Sequence, residues 1–153
     1  MKVLIAVDGS EYSTAAIAEA CRMVIRPDET QIKIVSAYED AHPISAEPFA
    51  ISAEYYQKID EAVHQQTVEF VTAAESMCRE YFPGKALDLT SEVLRGAPDR
   101  EIIERAKEWN ADLIVVGSHG RGFWGRLLGS VSDGVVHHAP CSVMIVRRPA
   151  AAE

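Results

Sequence analysis

The amino-acid sequence predicts an α/β protein with a single doubly wound domain, a five-stranded parallel sheet that carries helices on both faces. Short apolar segments alternate with segments of helical periodicity along the chain, which is the pattern of a parallel sheet with crossover helices. The 153 residues contain no internal repeat and no linker, and they are enough to bury one substantial core. We therefore assign residues 1–148 to one domain and residues 149–153 to a short tail.

Five segments have the length and composition of strands. "KVLIAV" (2–7) and "DLIVV" (112–116) are continuously apolar, as expected for central strands that are covered on both faces. "ALDLTSEVL" (86–94) alternates between apolar and polar residues, which predicts a strand exposed on one side. "IKIVSAY" (32–38) and "CSVMIV" (141–146) complete the predicted sheet.

Four segments between and after these strands are expected to be helices. Ser10 can cap the first helix, and Pro98 suits the first turn of the third. The second helix is expected over 52–81, with one buried stripe along its length. That stripe consists of Ile59, Val63, Gln66, Phe70, Ala73, Met77 and Tyr81. Residues 130–133 resemble a capping box, with aspartate in the acidic position, which predicts a short fourth helix.

Charge and composition exclude several classes of function. The net charge is −8, whereas nucleic-acid binding requires a basic face, so no nucleic-acid partner is expected. No apolar segment approaches the roughly 20 residues of a membrane span, and the first ten residues resemble a strand rather than a signal peptide. Cys21, Cys78 and Cys141 are scattered and odd in number. We therefore expect a cytoplasmic protein with reduced thiols and no membrane partner.

A glycine-rich segment follows the fourth strand and is the main candidate for a functional site. Residues 117–134 (GSHGRGFWGRLLGSVSDG) contain a literal G-x-G-x-x-G at Gly120, Gly122 and Gly125. A dinucleotide fingerprint belongs at the first strand–helix turn, with an acidic residue about 20 positions later. Only one strand follows here, and it ends in two arginines. We therefore do not favour a dinucleotide site.

The same segment fits a polyphosphate better. Gly117 ends a strand and lets backbone approach a ligand, and Gly120 permits a bend with positive φ. Gly129 stands at a predicted helix N-terminus, where unpaired N–H groups and the helix dipole attract anions. The loop carries no acid and three residues that can be positively charged, which are His119, Arg121 and Arg126. The alternative is a flexible turn followed by an ordinary helix cap.

The chain resembles the universal stress protein family, and specifically its nucleotide-binding branch. The resemblance rests on "VLIAVDGSEYS" (3–13), "ADLIVVGSHGRG" (111–122) and "LLGSVSDGVVHHAPCSVMIVRR" (127–148), and it covers essentially the whole chain. The family motif is G-x-x-G, nine residues, then G-[ST]. This chain keeps every fixed residue but has eight residues between the second and third glycines. It also has Ser142 where relatives often have proline.

The resemblance implies a sheet of strand order 3-2-1-4-5 and a cytosolic homodimer that binds ATP, ADP or AMP, often with Mg²⁺. Asp8 would accept hydrogen bonds from ribose or adenine, and Ala6, Val7 and Ala37 would line the base pocket. Around the ribose and phosphates, the candidate residues from motif and loop are Gly117, Ser118, His119, Gly120, Arg121, Gly129, Ser130 and Val131. The implied function is that of an ATP-binding regulatory or sensor module in the stress response.

The sequence is compatible with two other functions. A slow ATPase or phosphotransferase could use the same site, but no general base or catalytic lysine is evident, so we name no catalytic residue. A structural stress dimer that binds no nucleotide is the other alternative. For the dimer, the β-branched segment Ser142–Val146 at an expected sheet edge predicts pairing through the last strand. His137, His138 and Cys141 resemble zinc ligands, but without an evident fourth ligand we expect no metal site.

Overall fold

The computed structural model describes residues 1–40, 52–119 and 128–147, and the structural statements below refer to these ranges. Strands and helices alternate along the chain, with boundaries within one or two residues of those expected. The elements are β1 (Lys2–Ala6), α1 (Glu11–Met23), β2 (Gln31–Tyr38), α2 (Ala53–Tyr81), β3 (Asp88–Arg95), α3 (Pro98–Trp109), β4 (Leu113–Gly117), α4 (Ser130–His138) and β5 (Ser142–Val146). No helix in these ranges is long and apolar enough to cross a membrane.

The five strands form one parallel sheet in the order β3-β2-β1-β4-β5, which confirms the expected fold. β1 is central, and its Ile5 pairs with Ile34 of β2 on one side and with Val115 of β4 on the other. The connections run from β1 outward to β3 and then return to β4, beside β1. The topological switch point therefore lies between β1 and β4, where open α/β sheets usually bind ligands at the carboxyl ends of the strands.

The helices cover both faces of the sheet, two on each. On one face, α1 and α2 pack over a core that includes Ile5, Ile17 and Val71. On the other face, α3 and α4 pack over a core that includes Leu4 and Val135. Because every central strand is covered on both sides, its continuously apolar sequence is explained by burial.

The buried stripe of α2 differs from the predicted one. The buried residues are Thr67, Val71, Ala74 and Cys78. Gln66, Ala73 and Tyr81 of the predicted stripe are exposed, while Phe70 and Met77 pack at the border of the core. The prediction is wrong for these three exposed positions, because it gives most weight to the larger side chains, whereas the fully buried positions are mostly small residues. A stripe of Thr, Ala and Cys lets α2 lie close to its neighbours.

Candidate functional site

A cleft of about 290 Å³ lies at the carboxyl ends of β1 and β4, at the topological switch point. This volume is near the lower end of the range typical of small-molecule sites. The residues around it come from β1, α1, β2, α3, β4 and α4, and from the turns that follow β1 and β4. They are Ala6, Val7, Asp8, Ser13, Ala37, Pro98, Ile102, Val116, Gly117, His119, Gly129, Ser130, Val131 and Ser132.

The turn between β1 and α1 supplies the carboxylate of the cleft. Asp8 Oδ1 accepts a hydrogen bond of 3.0 Å from the backbone N–H of Ser10, which caps α1. Gly9 has a φ of +74°, and a Cβ there would lie 2.3 Å from the Phe70 ring of α2. A side chain at Gly9 would therefore be strained by its backbone and would clash with α2. These constraints fix the Asp8 carboxylate at one wall of the cleft.

Gly117, the last residue of β4, also lines the cleft. A Cβ at this position would lie 2.7 Å from the backbone carbonyl carbon of Tyr12 in α1. Gly117 is therefore required by the packing of the first turn of α1 against the end of β4. The sequence predicts only a close approach of ligand to this glycine, and the structure adds this second reason for its presence.

Ser118 is 1% exposed and is not among the residues that line the cleft. Its backbone N–H donates to Val146 O at 2.8 Å, and its carbonyl oxygen accepts from Gly129 N at 2.8 Å and from Ser132 Oγ at 3.0 Å. This one residue ties the end of β4 to β5 and to the start of α4. In the structure Ser118 positions the N-terminus of α4 and stays out of contact with the cleft.

His119 lines the cleft beside α1. Its Nδ1 lies 3.0 Å from Ser118 Oγ, and its ring centroid lies 5.1 Å from that of Tyr12. The hydroxyl and the aromatic ring restrict the orientation of the imidazole. His119 is thus held where its side chain lines the cleft.

The N-terminus of α4 forms the floor of the cleft. Gly129 is its N-cap residue, with φ of −73° and ψ of 161°, and makes no side-chain capping bond. The first backbone N–H groups of a helix have no acceptor within it, and the helix dipole places positive potential there. The floor therefore presents N–H donors and positive potential from the first turn, including Ser130 and Val131.

Two details of this turn differ from the expectation. The predicted capping box is wrong, because Ser130 is already helical and the cap residue is a glycine without a side chain. Ser132 instead donates to the carbonyls of Ser118 and Gly129, each at 3.0 Å. The φ of Gly129 is negative, so its backbone conformation does not require glycine.

The remaining wall of the cleft is apolar. Ala6, Ala37 and Val116 reach it from three neighbouring strands, as the sequence predicts for the first two. Pro98 and Ile102 of α3 complete it, and sequence reasoning places these two only at a helix start and in the core. The available signal is the position of α3, which begins at Pro98 shortly after β3 ends at Arg95, beside the carboxyl ends of the strands where the site is predicted.

Most of the predicted nucleotide-binding residues meet at this cleft. Those that line it are Ala6, Val7, Asp8, Ala37, Gly117, His119, Gly129, Ser130 and Val131. Gly120 and Arg121 lie outside the described residues. In the described ranges, no three His, Cys, Asp or Glu side chains are placed to hold a metal ion. The Nδ1 atoms of His137 and His138 each lie within 3.0 Å of a carbonyl oxygen one turn earlier, that of Asp133 and that of Gly134 respectively.

Comparison with known proteins extends what the geometry indicates. The model of the universal stress protein family matches residues 1–147. The chain belongs to the universal stress protein family. Universal stress protein MJ0531 of Methanocaldococcus jannaschii is 31% identical to it over 150 residues, which are 97% of this chain and 82% of that protein.

Two solved structures of universal stress proteins are also similar. One, in complex with cAMP, is 26% identical, covers 95% of this chain and 96% of its own, and has a TM-score of 0.68. The other, from Arabidopsis thaliana with AMP bound, is 21% identical, covers 98% and 93%, and has a TM-score of 0.65. The similarity to the Arabidopsis thaliana structure shows that the two proteins share a fold.

Proposed function

We propose that the cleft binds an adenine nucleotide, with ATP as the preferred ligand, and that the protein is a regulatory or sensor module of the universal stress protein family. One observation carries the proposal: a single cleft is lined by an apolar wall, a carboxylate and a helix N-terminus without a side-chain cap. A nucleotide offers a matching group for each of these, with a flat base, ribose hydroxyls and phosphates.

Each part of the cleft suits one part of the nucleotide. Ala6, Ala37 and Ile102 offer apolar surface to the base. The Asp8 carboxylate is an acceptor for ribose hydroxyls, since an ionised carboxylate can only accept hydrogen bonds. The first turn of α4, with Ser130 and Val131, supplies backbone N–H donors to phosphate oxygens.

The comparisons support the ligand class and leave the number of phosphates to experiment. A family member 26% identical to this chain has been solved with cAMP, and another of the same fold with AMP. The preference for ATP rests on the N-terminus of α4, which suits a chain of phosphates. Mg²⁺ would bind chiefly through phosphate oxygens and water, which is its usual mode at nucleotide sites.

Binding without rapid turnover is the expected behaviour. Hydrolysis needs an oriented water and a group that stabilises charge on the transferred phosphoryl. Asp8 and His119 are the cleft residues able to move a proton. Asp8 is tied to Ser10 N, and the structure gives Nδ1 of His119 a partner in Ser118 Oγ. With Mg²⁺ and ATP, phosphate release should be slower than about one per minute, against roughly 10 per second for a typical enzyme. A faster rate that His119→Ala abolishes would favour the ATPase alternative.

Calorimetric titration of nucleotide-free protein with ATP, ADP, AMP, cAMP and GTP tests the ligand. ATP at a hundredfold excess over Kd should add about 2.7 kcal/mol of stability, because it binds only the native state. For a chain of this size, that corresponds to a rise in Tm of roughly 5–10 °C. Equal responses to GTP would contradict adenine recognition. A folded protein that responds to no nucleotide would leave the structural-dimer alternative.

A homodimer through β5 is the second part of the proposal. β5 is an edge strand, and among the described strands it pairs only with β4. An apolar edge strand is normally covered, and a twofold pairing of two copies would cover both edges. Light scattering at micromolar concentration should give a dimer. Val143→Pro should shift it towards monomer, because proline removes a backbone donor. A wild-type monomer at high concentration would contradict this proposal.

A further inference from the structure

We propose that Cys21 and Cys78 are an oxidation site, at which hydrogen peroxide converts two buried thiols into an intramolecular disulfide. Both cysteines are free, and they lie on different helices, 57 positions apart in sequence. Their Sγ atoms are 3.8 Å apart. This juxtaposition is independent of the cleft and of the proposed nucleotide.

The packing of α1 on α2 brings the two sulfur atoms together. Cys21 is 3% exposed and Cys78 is fully buried, in one core cluster that also contains Ala20 and Ala74. The small alanine side chains let the helices approach closely. Formation of a disulfide requires the sulfur atoms to close to about 2.05 Å, which a rotation of the side chains with a small helix shift can supply.

The two thiols are chemically unequal. The pKa of Cys21 is lowered, because Cys78 can donate a hydrogen bond to its thiolate, an effect that outweighs burial. The same hydrogen bond, together with burial, raises the pKa of Cys78. Since the thiolate is the reactive form, Cys21 is the attacking residue and Cys78 the resolving one.

The reaction balances with peroxide as the oxidant. The Cys21 thiolate attacks one peroxide oxygen, the O–O bond breaks, and hydroxide leaves and takes a proton to become water. Cys21 is then a sulfenic acid. The Cys78 sulfur attacks the Cys21 sulfur, the S–O bond breaks, and the departing hydroxide takes the Cys78 proton as a second water. The two cysteines together lose two electrons, which reduce peroxide to two waters.

Access to the pair comes from its position near two helix ends. Cys21 lies in the last turn of α1, which ends at Met23, and Cys78 lies in the last turn of α2, which ends at Tyr81. Terminal turns open locally at lower free energy than helix centres, so a molecule as small as peroxide can enter without global unfolding. Because the thiols are buried, the reaction should be slow, on a scale of minutes to hours.

Intact mass spectrometry of peroxide-treated, folded protein tests the proposal. The expected product has lost the mass of two hydrogens, and a non-reducing digest should link the peptides that contain Cys21 and Cys78. Closing a loop of this length should raise the Tm by on the order of 5 °C or more, reversibly with dithiothreitol. Cys141→Ala is the matched control and should keep the product, whereas Cys21→Ala and Cys78→Ala should each lose it.

Three results would overturn the proposal. Added oxygen at a single cysteine without loss of hydrogen would show that Cys78 does not resolve the sulfenic acid. A linkage through Cys141 would show that another pair reacts. An unchanged mass in folded wild-type protein, with disulfide formation only after denaturation, would show that the buried thiols are inert. All three are read on the wild-type chain, so they do not depend on the folding of any variant.

Discussion

Two helix ends differ in how the protein satisfies them, one where the parallel strands begin (the amino edge of the sheet) and one where they end (the carboxyl edge). At the amino edge, α3 ends at Trp109, and the ammonium of Lys2 donates to the Trp109 carbonyl oxygen at 3.0 Å. Lys2 also lies 5.6 Å from the centre of the Trp109 ring. At the carboxyl edge, α4 begins at Ser130, and its N-cap residue Gly129 has no side chain to cap it. The negative C-terminal end of α3 is thus neutralised by Lys2, whereas the positive N-terminal end of α4 faces the cleft.

The capped end of α3 contributes to the stability of the fold, whereas the uncapped end of α4 is available for binding. A cation at a helix C-terminus interacts favourably with the dipole, so the Lys2 contact contributes to folding. Further side-chain bonds close the amino edge: Lys2 N donates to Asp112 Oδ2 at 2.7 Å, and Gln31 Nε2 donates to Asp88 Oδ2 at 2.8 Å. The N-terminus of α4 has no capping side chain of this kind. Its backbone N–H groups and positive potential are therefore available to an anionic ligand.

The largest expected effect follows from filling the open helix end. Gly129→Val places a branched side chain on the floor of the cleft, where phosphate is proposed to lie. The φ of −73° is accessible to valine, so the fold should persist. We expect the Kd for ATP to rise by at least about 100-fold, measured by calorimetric titration.

Two further glycine variants are the controls for this prediction. Gly84 lies in the turn that leads into β3 at the amino edge, with φ of +73°, and a Cβ added there would have no other atom within 4 Å. Gly84→Ala should cost about 1 kcal/mol of stability without changing the Kd. Gly122→Ala destroys the literal G-x-G-x-x-G at a position outside the described residues. Equal loss of affinity in Gly122→Ala and Gly129→Val would favour the dinucleotide interpretation.

A smaller effect is expected from the carboxylate wall. Asp8→Ala removes an acceptor for ribose hydroxyls and should weaken ATP binding by about 10- to 100-fold, the range for a hydrogen bond to a charged group. Asp8→Asn keeps an oxygen that can accept from Ser10 N, so it separates the loss of charge from damage to the turn. Asp28→Ala makes the same change in charge at an exposed residue between α1 and β2. Equal affinities of Asp8→Ala and wild type would exclude Asp8 from the site.

The fold and much of the candidate site follow from local sequence patterns. Continuous apolar strands predict β1 and β4, and the turns after them predict Asp8 and Gly129 as neighbours, because the carboxyl ends of parallel strands share one edge. Such patterns predict where strands, turns and helices begin and end. They are therefore sufficient to predict site residues that lie in the turns themselves.

What the sequence does not predict depends on packing between distant segments. The requirement for Gly117 comes from Tyr12, which is more than one hundred positions away. Pro98 and Ile102 reach the cleft because α3 lies over the sheet, and periodicity reports only that they are buried. The buried face of α2 likewise depends on which helix it meets, since Cys78 is buried against Cys21. Where two faces of a helix have equally good apolar spacing, contacts with distant segments decide which face is buried.

The smallest expected effect is at the closed helix end. Lys2→Met keeps most of the aliphatic side chain but removes the ammonium that contacts the Trp109 carbonyl and ring. The loss should be about 1 kcal/mol, the upper value for a cation at a helix C-terminus near the surface. Thermal melts should then show a Tm lower by roughly 2–4 °C. The Kd for ATP should not change, because Lys2 lies at the opposite edge of the sheet.

Lys58→Met is the matched control, since it removes the same charge from a lysine whose pair with Glu54, at 3.2 Å, is largely exposed to solvent. Pairs of that kind contribute little, so its Tm should stay at the wild-type value. Added salt should narrow the difference between wild type and Lys2→Met only slightly, because the Lys2 contact is partly buried and poorly screened. Equal melting temperatures for the two lysine variants would show that the amino edge is not held by this contact. A change in ATP affinity in Lys2→Met would show that the two edges are coupled, against the separation of stability from binding.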